Sequence, residues 1–226
     1  MSAVLFFARL DLNQIYRFLD GHDIAKEGRG MRVLTVSDIV VSPLYPVSDR
    51  DAFGAIDLVV ACGDLPPEYL GYLAHVFNVP LFFVKGNHDI RFNKNPPGGC
   101  TDLHGRIISF RGVRFLGLEG SMWYNGGPYQ YNEKQMKTHL RRLRPALWWR
   151  KGVDVVVTHA PPRGIHDGDD LCHQGFACFR WLIDKYRPRL FLHGHIHAFF
   201  QDDTERTTHI GTTRVTNTYG YHVLEI

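Results

Sequence analysis

The sequence has few cysteines, and they are not arranged as a motif. Its 226 residues include four of them, and no two form a Cys-x-x-Cys pair. A chain of this length buries a sizeable core without needing disulfide bonds. We therefore expect four reduced thiols that take no part in the function.

Long apolar runs and a strong charge of one sign are also missing. No apolar stretch approaches the length of a membrane span, so we expect no membrane association. The net charge of +3 is too small to indicate nucleic-acid binding by itself, although it would suit an anionic substrate. The start "MSAVLFFARLD" has no basic region before its apolar patch, which argues against a signal peptide. These features favour a cytoplasmic protein.

The chain shows no internal repeat, low-complexity run or linker that would divide it. Residues 31–226 are expected to form one domain, because Met31 opens the strand-like run "MRVLTV". Residues 1–30 are interpreted as an N-terminal appendage. The alternative is an amphipathic helix around "LNQIYRFLD" that packs on the domain, and the sequence leaves both open.

Short apolar runs alternate with helical patterns along the rest of the chain. The runs lie at 32–36, 57–61, 80–84, 153–158 and 189–192, and the helical patterns lie at 67–77, 132–144 and 178–187. Residues 107–118 are typical of a hairpin turning at Arg111-Gly112, and the Thr-rich tail after 199 of further strands. This order predicts an α/β layered fold.

A polar residue able to bind a metal follows each of the five apolar runs. Since sites in α/β sheets form at the carboxyl ends of strands, these side chains are expected to meet in one crevice. The bland alternative is that each is an ordinary turn or cap residue. The set contains Asp38, Asp64, Asn87, His88, His159, His195 and His197.

The ordered blocks Asp38, "GD" (63–64), "GNHD" (86–89), "VTHAPP" around His159 and "GHIH" (194–197) resemble the calcineurin-like metallophosphoesterase superfamily. The resemblance extends over residues 31–226. It implies a four-layer β-sandwich flanked by helices, with two divalent metal ions at the strand ends. Ligands without thiolate suit manganese, iron or zinc better than magnesium.

The resemblance also implies roles for single residues. Asp64 would bridge the two ions, which together would turn a bound water into hydroxide for in-line attack on phosphorus. His88 would bind phosphate and protonate the leaving oxygen, and Asp89 would orient His88. The remaining ligands would be Asp38 and His197 at the first ion, and Asn87, His159 and His195 at the second.

The first block departs from the family pattern Asp-x-His, because Val40 stands at the histidine position. Valine cannot coordinate a metal, so the first ion is expected to bind weakly or to recruit another histidine. The candidates are His22, His166 and His173. Because the other ligands are all present, the sequence favours a metal-dependent phosphoesterase acting on a small phosphodiester or phosphomonoester. The alternative is a non-catalytic binding or scaffold module.

Two loops are candidate substrate walls. The loop at 161–176 follows His159 and is interpreted either as a lid that places Arg163 near a phosphate or as a solvated loop. The aromatic stretch at 121–132 would stack on a base or sugar, or would simply pack in the interior. A basic stripe on the helix at 132–144 is more typical of a solvated face than of a nucleic-acid site, so nucleic acid is not expected as a partner.

Overall fold

Residues 30–226 are described by a computed structural model. The expectations for residues 1–29, including a ligand role for His22, lie outside these described residues. The strands and helices follow the chain in the order β1 (Arg32–Ser37), β2 (Leu58–Ala61), α1 (Pro67–Phe77), β3 (Leu81–Phe83), β4 (Cys100–Asp102), β5 (Ile107–Phe110), β6 (Val113–Leu118), β7 (Ser121–Met122), β8 (Gln130–Tyr131), α2 (Glu133–Trp149), β9 (Val155–Thr158), α3 (Ala177–Tyr186), β10 (Leu190–His193), β11 (Thr207–Ile210), β12 (Thr213–Asn217) and β13 (Gly220–Glu225). The 3-10 turns are Ser42–Leu44, Asp51–Phe53 and Ile90–Asn93.

Two large sheets carry the fold. The first has the strand order β13-β1-β2-β3-β4, with β1 to β4 parallel and β13 antiparallel to β1. The second has the order β11-β12-β10-β9-β6-β5, parallel from β12 to β6 and antiparallel at both edges. Parallel neighbours bring the carboxyl ends of their strands to one edge of each sheet.

Alternate residues of the central strands face different layers. Val33, Val60 and Phe82 of the first sheet pack with residues of the second sheet such as Val157 and Leu192. The residues between them, such as Leu34 and Val59, pack against α1. Because both faces of these strands are buried, their sequences are continuously apolar rather than alternating.

The helices α2 and α3 cover the outer face of the second sheet through one shared core cluster, which includes Leu140, Phe179 and Phe191. The molecule therefore has four layers, helix, sheet, sheet and helix. The predicted four-layer β-sandwich flanked by helices is confirmed, as are strands at the five apolar runs.

The local expectations agree with the structure to within one or two residues at most element ends, with one larger change of boundary. Arg111 and Gly112 have φ of 47° and 78° at the tip of the β5–β6 hairpin, as a two-residue turn of this type requires. The helix predicted at 132–144 instead continues to Trp149. Pro145 is exposed and the apolar face continues to the buried Leu147, so packing carries the helix past the proline.

Candidate metal centre

The predicted site residues follow the carboxyl ends of β1, β2, β3, β9 and β10, where the two sheets meet. Asp38, Asp64 and His195 have positive φ values of 68°, 57° and 67°. Non-glycine residues seldom adopt this left-handed conformation, and such strain concentrates at functional sites. The sharp bends turn these side chains back across the sheet edge.

Glycine is required where the loops after β2 and β3 touch. A Cβ atom on Gly86 would lie 2.1 Å from Asp64 Oδ1 and 2.7 Å from the Asp64 backbone nitrogen. A Cβ atom on Gly63 would lie 2.6 Å from His159 Nδ1. Any side chain at either position would displace the groups that form the site.

Three ligand atoms face one another around His159. Its Nε2 lies 3.3 Å from Asp64 Oδ2 and 3.1 Å from Asn87 Oδ1. Its Nδ1 lies 2.7 Å from the Cys62 carbonyl oxygen, which only accepts hydrogen bonds, so Nδ1 carries a hydrogen. In the neutral ring, Nε2 then presents a lone pair toward two oxygen atoms, as a metal ligand would.

The charges of this group indicate a binding place for a cation. Burial opposes a charge on His159, yet the neighbouring Asp64 carboxylate raises the pKa of His159 to about 9. Burial likewise opposes a charge on Asp64, but His159 lowers the pKa of Asp64 to about 2. A proton on Nε2 therefore offsets the oxygen charges, and a divalent ion would do so more fully. The donor set fits such an ion.

His195 completes this group. Ligand atoms of Asp64, His159 and His195 all lie within 4.8 Å of one another. His195 Nε2 donates to the Cys172 carbonyl oxygen over 2.8 Å, which leaves Nδ1 as the lone-pair atom. Burial lowers the pKa of His195 to about 4, so the ring is neutral at physiological pH.

The predicted ligands of the first ion lie farther apart and are more exposed than those of the second. His197 Nε2 lies 3.7 Å from Asp38 Oδ1, and the His197 side chain is 61% exposed. Both Asp38 oxygens accept from the His195 backbone nitrogen, over 3.0 and 3.1 Å. The hydrogen bond with Asp38 raises the pKa of His197. Val40 is 41% exposed.

His166 and His173, the described candidates to replace the ligand missing at Val40, differ in what they contact. His166 engages both ring nitrogens, Nδ1 with His193 at 2.9 Å and Nε2 with Thr208 at 2.8 Å. His173 instead places its ring 5.3 Å from the ring of His195, beside the second predicted site. Between these two, His173 is therefore the one that lies beside the centre.

His193, the first histidine of "HGHIH", lies outside the ligand group. It is fully buried, and burial lowers its pKa to about 3. Its Nδ1 donates to the Gly194 carbonyl oxygen over 2.9 Å. His193 is a neutral interior histidine.

His88 and Asp89 take different positions. His88 is exposed, and its backbone nitrogen donates to Asp64 Oδ1 over 2.8 Å. The buried Asp89 carboxylate accepts from the backbone nitrogens of Gly86, Asp64 and Leu65 over 2.7, 2.9 and 3.1 Å. Among the described residues, no hydrogen bond joins Asp89 to the His88 ring, so the orienting role of Asp89 stays a prediction.

Burial raises the pKa of Asp89 to about 7, against the opposing effect of its hydrogen bond from the Gly86 backbone nitrogen. The carboxylate nevertheless ties the loop after β2 to the loop after β3. Asp89 thus holds in place the two loops that carry Asp64 and Asn87.

Sequence reasoning missed two groups that contact the centre. The Tyr124 hydroxyl accepts from Asn87 Nδ2 over 3.3 Å, and the Cys172 carbonyl holds His195. Tyr124 belongs to the aromatic stretch that was a candidate wall, so its residue type gave a weak signal. A backbone carbonyl gives none. Arg163, for which a position near a phosphate was one of two interpretations, donates to the Gly175 carbonyl within its own loop over 2.8 Å, and its role toward a phosphate stays a prediction.

The four-layer fold and the clustered Asp, Asn and His ligands define a metallophosphoesterase-type protein. The calcineurin-like phosphoesterase family profile matches residues 31–199, and the chain belongs to that family. Members of this family typically bind divalent metals. Within the described part of the chain, no helix is long and apolar enough to cross a membrane.

Known relatives agree with this assignment. The chain is 30% identical over 112 residues to human metallophosphoesterase domain-containing protein 1, a match that covers 48% of the chain and 33% of that protein. The crystal structure of TT1561 of Thermus thermophilus superposes with a TM-score of 0.59 at 18% identity, over 87% of the chain and 95% of that structure. GAP50, the anchor in the inner membrane complex of Plasmodium, gives a TM-score of 0.51 at 11% identity, over 84% and 71%. These structural likenesses concern the fold alone.

Proposed function

We propose that the chain is a metal-dependent phosphoesterase that hydrolyses a phosphodiester or phosphomonoester. The observation that carries this proposal is the convergence of His159 Nε2 on Asp64 Oδ2 at 3.3 Å and Asn87 Oδ1 at 3.1 Å. Buried oxygen and nitrogen ligands in this arrangement favour a divalent ion over a purely structural role. We propose further that the substrate is a small phosphorylated molecule rather than nucleic acid, and that the enzyme acts in the cytoplasm without a membrane partner.

Two ions are proposed, with manganese, iron or zinc as the candidates. Asp64, Asn87, His159 and His195 would hold the tighter ion, and Asp38, Asp64 and His197 the weaker one. When bound, the ions would supply hydroxide at neutral pH and offset the charge of the phosphoryl oxygens. His195 is neutral and keeps its lone pair available, whereas His159 would offer its Nε2 lone pair once an ion takes the place of the proton there.

His88 is the proposed general acid. It is exposed, so its ring can reach a substrate from solvent, and its backbone is held at Asp64. The ring would bind a phosphoryl oxygen and donate a proton to the leaving oxygen. Asp89 would support this step through the loops after β2 and β3, whose backbone nitrogens it accepts from.

A non-catalytic binding module is the second candidate, and Val40 is the observation that favours it. A fold kept only as a scaffold would lose metal ligands first. Against this alternative, the ligand group around His159 is assembled and its charges favour a cation. Activity measurements separate the two candidates.

The test measures metal content after purification, then hydrolysis of bis-p-nitrophenyl phosphate and p-nitrophenyl phosphate with added manganese. We expect bound metal and manganese-dependent turnover, and the preferred substrate will separate diesterase from monoesterase. Asp64→Ala and Asn87→Ala should each abolish both bound metal and turnover, because each removes an oxygen ligand.

Asn95→Ala is the matched control, since Asn95 is an exposed asparagine outside the ligand group. It should keep wild-type metal content and turnover. A metal-loaded, fully active Asn87→Ala protein would refute the site assignment. A metal-loaded wild type without turnover on either ester would favour the scaffold module.

A further inference from the structure

A second cluster of metal-ligating side chains lies on the loop after β9, outside the ligand group of the phosphoesterase centre. Ligand atoms of Asp170, Cys172 and His173 all lie within 4.8 Å of one another. These three residues, here called the loop triad, combine a carboxylate, a thiol and an imidazole. His173 Nδ1 lies 2.8 Å from Asp170 Oδ2, so two of the three groups already face each other.

We infer that the loop triad is a separate binding site for a thiophilic divalent ion such as zinc, adjoining the phosphoesterase centre. Sulfur, nitrogen and oxygen ligands from three residues, with a fourth position open to water, form an ordinary zinc coordination set. Thiolate selects zinc over magnesium, calcium or manganese. The inference does not depend on phosphoesterase activity.

Binding is a simple exchange at sulfur. The Cys172 thiol loses its proton to solvent, and a bond forms between Sγ and the ion. His173 would bind through the lone pair of a ring nitrogen and Asp170 through a carboxylate oxygen. The expectation that the cysteines take no part in function is therefore revised for Cys172, while Cys62 and Cys178 are buried.

The triad is open to ions from solvent and has a defined backbone. The side chains of His173 and Asp170 are 45% and 62% exposed, and Cys172 is half-buried. Asp170 Oδ1 accepts from the backbone nitrogens of Cys172 and His173 over 3.0 and 3.1 Å. Asp170 Oδ2 is thereby directed to the His173 side of the cluster.

The loop triad contacts the phosphoesterase centre through its own residues. The Cys172 carbonyl accepts from His195 Nε2 over 2.8 Å, and the His173 ring lies 5.3 Å from the His195 ring. An ion on the triad would fix the loop that holds His195.

The experiment uses the full chain, freed of metal by chelation and titrated anaerobically with cobalt(II). Thiolate bound to cobalt gives an intense charge-transfer absorption in the near ultraviolet, and no predicted ligand of the phosphoesterase centre is a thiol. We expect this band in the wild type. We expect no band in Cys172→Ser, and about tenfold or more cobalt for half-saturation in His173→Ala.

Two control variants test whether the absorption band comes from Cys172 and from the loop triad. Cys100→Ser removes the other half-buried cysteine and should keep the band unchanged. Asp64→Ala, which is expected to empty the phosphoesterase centre, should also keep it. Failure of the proposed function would leave the band intact, so the two proposals are tested separately.

Three results would overturn the inference. They are a wild type without the band at saturating cobalt, an undiminished band in Cys172→Ser, or loss of the band in Asp64→Ala, which would make Cys172 a ligand of the main centre. Asp170→Asn is a variant in which the loop should keep its fold, because asparagine retains the Oδ1 atom that accepts from the backbone nitrogens of Cys172 and His173. It should weaken cobalt binding at unchanged thermal stability, and unchanged binding would remove Asp170 from the site.

Discussion

At the scale of the residue, a backbone carbonyl sets the orientation of His159 and of His195. The Cys62 carbonyl fixes Nδ1–H of His159, and the Cys172 carbonyl fixes Nε2–H of His195. In each neutral ring the other nitrogen then carries the lone pair that a metal would need. Single substitutions should therefore separate the residues that hold metal from those that handle protons.

His88 is the residue whose replacement should affect turnover most clearly without affecting metal binding. Replacing His88 with alanine should leave bound metal unchanged, because the His88 contact with Asp64 is made by the backbone nitrogen. Turnover should fall by roughly 10²–10⁴-fold if the ring is the general acid. His75→Ala, at an exposed histidine of α1, should change neither quantity. Loss of metal from His88→Ala would mean that the ring is a ligand instead.

Val40 tests the weaker first site. Position 40 is 41% exposed, so histidine can be introduced there without filling the core. Val40→His should add an imidazole beside Asp38, tighten the first ion and let activity saturate at lower manganese. The second site should be nearly undisturbed.

A manganese titration of activity decides this prediction. The gain should vanish when His197→Ala is added to Val40→His, because both ligands serve the same ion. If Val40→His leaves the metal dependence unchanged, position 40 does not face the metal or another residue already serves there. His22, His166 and His173 are then the next positions to replace.

At the scale of the element, the loops after β2 and β3 must approach so closely that only glycine fits between them. Gly86→Ala should lower the free energy of unfolding by about 1–3 kcal/mol and impair metal binding, because the added methyl group would meet Asp64. Gly98→Ala is the matched control. A Cβ atom there meets nothing within 4 Å.

Denaturant unfolding and metal titration of the two alanine variants measure this difference. Gly98→Ala should stay within about 0.5 kcal/mol of wild type. Equal stability and equal metal affinity in both variants would show that the loops separate at no cost, and that their contact is not needed for the centre.

Much of this element-level organisation was predictable, because the apolar runs and the ligand motifs are local in sequence. The β5–β6 turn followed from Arg111-Gly112, and the ligand-bearing strand ends followed from "GD", "GNHD" and "GHIH". The path of α2 through Pro145 was not predictable, since it depends on Leu147 packing in the core. The contacts of Cys172 and Tyr124 were not predictable either, because they join segments far apart in the chain.

At the scale of the whole molecule, the centre lies across the two sheets. Asp38, Asp64 and Asn87 follow strands of the first sheet, and His159, His195 and His197 follow strands of the second. The proposed oxygen ligands thus come from one sheet and the proposed nitrogen ligands from the other. An ion bound between them would link the sheets, and would stabilise the folded state by mass action.

Metal removal should therefore lower the melting temperature of the whole chain. At manganese one hundred times its dissociation constant, the expected stabilisation is about 2.7 kcal/mol for one site. In Asp64→Ala, which lacks the proposed bridging ligand, manganese should give no such shift. Calorimetry with and without chelator makes the comparison, and equal shifts in both proteins would place the stabilising ion elsewhere.

The domain boundary is the last feature that the whole molecule can test. Met31 is buried, and its backbone pairs with Ile226 in both directions, N to O over 3.1 Å and O from N over 2.9 Å. The start of β1 is thus paired with Ile226, a residue of the domain itself. Deleting residues 1–30 should leave a folded, active chain whose melting temperature lies within about 2–4 °C of the full chain. Deleting residues 1–33 removes the buried Met31 and Val33 as well, and should destabilise it sharply. If the shorter deletion also melts far below the full chain or becomes insoluble, residues 1–30 cover part of the core and the domain begins before Met31.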